Sequence, residues 1–256
     1  MDKKSPIAVF DSGLGGISVL KELVRLMPHE NYIYFGDSKN APYGVKTAGE
    51  VLALTENAVD MLIKKQAKTI VVACNTATSA AVDILRQKHP DLPVIGIEPA
   101  LKPAAAASSN GRIVVMATAM TLREKKFSML LEQYADKAEI TLLPAPGIVE
   151  FVEKGITKGP KLEAYLTQLL ATCREAKPDS IVLGCTHFPF VKDSIKKVIG
   201  CPVRIFDGAE GTAKETRRQL AIANKLNDSG ESSVIEFFNS DNSPRIQELC
   251  RRLLET

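Results

Sequence analysis

Short apolar runs alternate with stretches of helical periodicity along the whole chain. Ile7-Ala8-Val9-Phe10 is apolar without alternation and stops at Asp11-Ser12-Gly13-Leu14-Gly15-Gly16. Val19, Leu20, Leu23, Val24 and Met27 then recur at helical spacing over 17–27. Strands are predicted at 32–35, 70–73 and 94–97, with helices over about 47–66 and 79–88. Non-alternating apolar runs interleaved with helices specify a parallel sheet covered on both faces. The pattern then restarts, with strands at 112–116, 140–143, 181–183 and 203–206 and helices over 122–134, 148–153, 161–177 and 191–198. Two such series predict an α/β protein of two similar parallel-sheet domains in pseudo-twofold relation, with the active site in the cleft between them. The first domain is expected to be 1–97 plus 208–256 and the second 98–207, with crossings at 96–103 and 206–211. A helix over 211–225, a strand at 234–238 and a terminal helix from Ser243 return to the first half.

In parallel α/β sheets, right-handed crossovers put ligand sites at the carboxyl ends of the strands. Asp11, Asp37, Cys74, Thr118 and Cys185 fall there. Ile70-Val71-Val72-Ala73 runs directly into Cys74, Asn75 and Thr76, and Ile181-Val182-Leu183-Gly184 runs in the same way into Cys185, Thr186 and His187. A thiol at a strand end, at or just before a helix N-terminus, meets backbone N–H groups that favour an anion, which draws it toward thiolate. A free cysteine is ordinarily a small buried hydrophobe; the second copy of the pattern sets these two apart, one in each half. Cys173 and Cys250 read as helical and structural, and Cys201 as a loop residue.

Composition narrows the classes. The 256 residues are 45% hydrophobic and 25% charged, as in a soluble globular protein with an ample core. The net charge of +3 is not clustered and gives no warrant for nucleic acid. Five cysteines without C-x-x-C spacing suggest neither a disulfide framework nor a zinc site, and three histidines make a poor metal set. The first residues hold no apolar signal region, and no run approaches the ~18 apolar residues of a spanning helix. The expectation is a cytoplasmic protein with reduced thiols and neither a metal nor a membrane partner.

Two thiols on opposite faces of one carbon can remove a proton from one side and return one from the other, which is racemisation by two bases. The developing enediolate needs donors aimed at the α-carboxylate. Backbone N–H groups after each cysteine and the hydroxyls of Ser12, Thr76, Thr118, Thr121 and Thr186 can supply them. Dinucleotide binding is a rival, since Gly13-Leu14-Gly15-Gly16 follows a strand and Asp37 ends the next. Ser18 stands where the third fingerprint glycine belongs, however, and the cysteines would be idle. A non-catalytic two-lobed amino-acid binder is the alternative from another class.

D-S-G-L-G-G at 11–16, P-Y-G at 42–44, A-C-N-T at 73–76 and G-C-T-H-F-P at 184–189 together resemble the glutamate racemases, over roughly residues 5 to 210. The resemblance implies an enzyme that interconverts L- and D-glutamate without a cofactor and supplies D-glutamate for peptidoglycan. It implies that Cys74 works on the D-enantiomer and Cys185 on the L-enantiomer. Asp11 and His187 match supporting residues, and F-V-E-K-G at 151–155 makes Glu153 the match for a third carboxylate. Ser12, Tyr43, Gly44, Asn75, Thr76 and Thr186 match substrate-binding positions, with Thr118 a further candidate. One stretch departs from the pattern: Thr118-Ala119-Met120-Thr121, followed by Glu124, places Met120 where the family often has glycine, which alters the pocket there. Aspartate and hydantoin racemases and single-thiol decarboxylases are close rivals, and the paired cysteines argue against the last. Asp11 is also open to reading as the N-cap of the first helix, and Asp37 as a turn residue. A homodimer is compatible with the sequence, which does not specify an oligomeric state.

Overall fold

A computed structural model describes residues 2–107 and 111–255. The chain forms two units, residues 1–98 with 209–256, and residues 99–208. The first begins with β1 (Ile7–Asp11), α1 (Ile17–Leu26), β2 (Tyr32–Gly36), α2 (Ala48–Lys64), β3 (Thr69–Val72), α3 (Asn75–Lys88) and β4 (Val94–Gly96). All pairings are parallel, with Phe10 opposite Phe35 on one side and Val72 on the other. β1 and β3 are buried along their whole length, which is why their sequences do not alternate. α2 opens on a capping box in which the Thr47 side chain accepts the Glu50 N–H and the Glu50 carboxylate accepts the Thr47 N–H.

The second unit contains α4 (Leu101–Ala107), β5 (Arg112–Ala117), α5 (Ala119–Arg123), α6 (Lys125–Glu132), β6 (Glu139–Pro144), α7 (Gly147–Glu153), α8 (Pro160–Leu169), α9 (Ala171–Ala176), β7 (Ser180–Gly184), α10 (Lys192–Ile199) and β8 (Arg204–Asp207). Its parallel sheet, in the order β6-β5-β7-β8, repeats the order β2-β1-β3-β4 of the first unit. Ala100, Leu101, Ala104, Ile113, Val115, Phe127 and Val182 form one core cluster. The chain then returns to the first unit as α11 (Ala209–Ile222), β9 (Ile235–Asn239) and α12 (Pro244–Glu255). β9 pairs in parallel with β2 and completes a five-stranded sheet, β4-β3-β1-β2-β9.

Some boundaries differ from the periodicity. The stretch expected to cross between halves at 96–103 already carries α4, whose Pro103 sits in the first turn, where a missing N–H costs nothing. The single helix expected over 122–134 is two, because Glu124 is extended (φ −70, ψ 137) and restarts the helical phase so that Phe127 enters the core. Likewise 161–177 breaks at Leu170, and 191–198 is preceded by a 3-10 turn, Phe188–Val191. The most consequential difference is α3, which begins at Asn75 rather than at 79.

Candidate active site

In the first unit, β1 delivers Asp11 and β3 delivers Cys74 to adjacent strand ends. Gly16, the N-cap of α1, makes this close approach possible, because a Cβ there would lie 2.6 Å from Asp11 Cβ and 3.1 Å from Ala73 Cβ. Since α3 starts at Asn75, Cys74 is itself the N-cap residue of a 14-residue helix, with φ −75 and ψ 121. The first-turn N–H groups and positive dipole end of α3 therefore lie next to its sulfur. Cys74 is buried, and its S–H donates to Ser12 Oγ at 3.4 Å. Asn75 and Thr76, in the first turn, are buried, and Asn75 Oδ1 has no hydrogen-bond partner among the described residues.

Asp11 is fully buried and its Oδ1 accepts the Gly13 N–H at 2.9 Å. The N-cap alternative falls, because α1 is capped by Gly16 without any side-chain bond; the carboxylate closes the Asp-Ser-Gly turn instead. Tyr43 is buried in a 3-10 turn (Tyr43–Val45), with Gly44 half-buried beside it. Its ring lies 6.3 Å from that of Phe10, centroid to centroid. Its hydroxyl donates to Asp37 Oδ2 at 2.7 Å. Burial, then the bond to Asp37, then the charges of Asp37, Cys74 and Asp11 hold this phenol far above its ordinary pKa, so it stays a neutral donor. Asp37 is thus more than a turn residue: it is buried and also accepts from Asn40 Nδ2 at both oxygens, 3.0 Å each.

In the second unit, β7 delivers Cys185, also buried. Gly184 lets β7 approach β5, since a Cβ there would meet Ala117 Cβ at 3.0 Å and Met116 O at 3.1 Å. The likeness to Cys74 ends here, because a turn and the 3-10 segment intervene before α10. The partner of this thiol is an imidazole: Cys185 Sγ lies 3.7 Å from His187 Nδ1. His187 Nε2 is in turn 2.7 Å from Oε1 of Glu153, the last residue of α7. Burial by itself would lower the pKa of His187, but the hydrogen bonds to Cys185 and Glu153 and their charges outweigh it, and the imidazole is held well above its usual value. Thr186 is buried next to the thiol. Thr118 caps α5, its Oγ1 accepting the Thr121 N–H at 3.2 Å and lying 2.9 Å from Thr121 Oγ1. Met120 is buried in that helix.

Cys74, Asp11, Ser12, Tyr43, Gly44, Asn75 and Thr76 therefore belong to the first unit, and Cys185, His187, Glu153, Thr118 and Thr186 to the second. Sequence reasoning missed the Asp37–Tyr43 bond, whose only signal was a carboxylate at a strand end six residues before a tyrosine. Among the described residues, no three His, Cys, Asp or Glu side chains gather as a metal site, and no helix is long and apolar enough to cross a membrane.

Each of the two parallel-sheet units ends its third strand in a buried thiol with its own polar partner, Ser12 for Cys74 and His187 for Cys185. The chain belongs to the Asp/Glu/hydantoin racemase family, whose profile matches residues 10–216. It is 52% identical over 257 residues to a glutamate racemase from Clostridium botulinum, covering 100% of both chains. Among solved structures it is similar to the Francisella tularensis glutamate racemase in complex with D-glutamate, at TM-score 0.85 and 27% identity over 99% of this chain and 95% of the other. It is similar also to the Escherichia coli glutamate racemase in complex with L-glutamate and the activator UDP-MurNAc-Ala, at TM-score 0.85 and 30% identity over 98% and 94%.

Proposed function

We propose that the enzyme interconverts L- and D-glutamate without a cofactor, by a two-base mechanism on Cys74 and Cys185, and that it supplies D-glutamate for peptidoglycan from the cytoplasm, where thiols stay reduced. The observation that carries this is the repetition of a buried thiol at the end of β3 and of β7, each beside a group suited to its anion. The binding of D-glutamate by one relative and of L-glutamate by another supports the substrate.

Starting from L-glutamate, the Cys185 thiolate takes the α-proton and forms an S–H bond. The C–H electron pair passes into the α-carboxylate as an enediolate. The Cys74 S–H then gives its proton to the opposite face of the α-carbon, leaving Cys74 as thiolate; from D-glutamate the roles reverse. Each direction thus needs one thiolate and one thiol, on opposite faces of the same carbon. The protonated His187, held by Glu153, favours the anion of Cys185, while Ser12 and the first-turn N–H groups of α3 favour that of Cys74. Asp11 and the unpartnered Asn75 Oδ1 are acceptors for the substrate ammonium. The hydroxyls of Thr76, Thr118 and Thr186 and the backbone N–H groups of Tyr43 and Gly44 are donors for its carboxylates.

The test is incubation with L-glutamate in D₂O without added cofactor, with proton NMR following the α-proton and chiral chromatography following D-glutamate. Exchange accompanied by D-glutamate is expected from the wild type, and neither racemisation nor full exchange from Cys74→Ala or Cys185→Ala, which should still bind glutamate. An unchanged racemisation rate in either variant ends the two-base proposal. Binding without turnover by the wild type favours the amino-acid binder.

A further inference from the structure

The family match stops at residue 216, and no catalytic step above uses β9. Its carboxyl end nevertheless bears on the loop that carries Tyr43. Asn239, buried, donates from Nδ2 to Ser38 Oγ at 3.0 Å, while its Oδ1 accepts the Asp241 N–H at 2.9 Å. Ser240 Oγ accepts the Lys39 N–H at 2.9 Å, and the Ser240 N–H donates to Gly36 O at 3.0 Å. Gly36 is itself wedged: a Cβ there would come 2.3 Å from Gly13 O and 2.8 Å from Asn239 Nδ2. Asp37, the next residue, carries the connection forward to the Tyr43 hydroxyl.

The loop needs such support. Between Asp37 and Lys46 it is two 3-10 turns with Lys39, Pro42 and Val45 exposed, Val45 at 80%. Apart from Asp37 and Tyr43 it buries little, and a segment with few buried contacts opens locally unless hydrogen bonds from elsewhere hold it. We propose that Asn239 and Ser240 are positioning residues, through which the end of the C-terminal strand fixes the 37–45 loop and keeps Tyr43 against Phe10 of β1. α12, which packs on α1 and on β9, therefore stands behind the substrate loop. The role of the loop in binding rests on the reading of Tyr43 as a substrate-binding residue; the brace itself does not.

Hydrogen exchange on the substrate-free protein and steady-state kinetics with glutamate test the two parts separately. Ser240→Ala removes one neutral acceptor, so exchange within 37–45 should rise about fivefold while the rest of the first unit is unchanged. KM for glutamate should rise by a similar factor with kcat nearly constant. Ser240→Thr, which keeps the hydroxyl, should restore both, and Asn239→Ala, which loses two bonds, should exceed Ser240→Ala in both. Wild-type exchange and KM in folded Ser240→Ala and Asn239→Ala overturn the proposal, as does faster exchange spread evenly over the first unit. If the wild type fails to racemise glutamate, the functional reading falls and the exchange data alone decide whether the brace exists.

Discussion

Glu153→Gln removes the negative charge behind His187 while leaving an amide oxygen that can still accept from Nε2. What is lost is the difference between a charge-assisted hydrogen bond, about 1.5–3 kcal/mol, and a neutral one, about 0.5–1.5 kcal/mol. The two side chains are 3% and 19% exposed, so solvent screens little of that difference. That loss, roughly 1–1.5 kcal/mol, falls more on the imidazolium than on the neutral ring. His187 should therefore titrate lower in the variant, with Cys185 still holding it up against burial. The assay is NMR of the imidazole resonances across the neutral and alkaline range, made tractable by a complement of three histidines. In parallel, the alkaline limb of kcat/KM should move toward acid by the same amount, because losing the imidazolium disfavours the Cys185 thiolate. With α-deuterated substrates, the isotope effect should grow for L-glutamate and shrink for D-glutamate. Stability follows the same sign. His187 binds its proton more tightly folded than unfolded, so the thermal advantage of the wild type over the variant is present near pH 6.5 and fades as pH rises through the raised folded value. A His187 resonance that titrates identically in folded Glu153→Gln would refute the claim that this carboxylate holds the proton.

Other consequences follow from packing. Lys68→Met strands the buried Glu30 carboxylate, which pairs with the Lys68 ammonium at 2% and 0% side-chain exposure, and should cost about 3–5 kcal/mol, read as a lower urea midpoint; Lys68→Met/Glu30→Gln should recover much of it, and an equal midpoint in the single variant would show that the pair does not matter. Gly184→Ala forces a methyl against Met116 O and Ala117 Cβ, so it should cost about 1–3 kcal/mol and lower kcat by displacing Cys185, whereas wild-type kinetics would mean that β7 can shift freely.

The strands were legible because burial on both faces leaves an unbroken apolar run, as in Ile7-Ala8-Val9-Phe10 and Ile181-Val182-Leu183. Both thiols were legible for the same reason, each following such a run directly. Helix starts were not. Thr78 and Ser79 look like caps, but the Thr78 hydroxyl bonds back to Val72 O inside a helix that Cys74 has already capped. The break at Glu124 leaves no trace, since neither Pro nor Gly stands between Thr121 and Glu132 and only the core's demand for Phe127 re-aims the chain. Pairings such as His187 with Glu153, 34 residues apart, and Asn239 with Ser38, 201 apart, are made by the fold and carry no periodicity. The family resemblance named His187 and Glu153 as site residues without their bond; nothing pointed to the second pairing.

Cys74 and Cys185 occupy matching strand ends yet have unlike neighbours, a serine hydroxyl and a helix end for one, an imidazole and a carboxylate for the other. Mirror-image substrate and product have equal free energies, so the equilibrium constant is unity and kcat/KM must be the same in both directions at every pH. Whatever lopsidedness the two environments impose can appear only as a trade between kcat and KM within each direction. Chemical asymmetry in the protein therefore sets which enantiomer saturates it first, and has no influence on the racemic mixture at which the reaction halts. Net production of one hand must come from a downstream step that withdraws it.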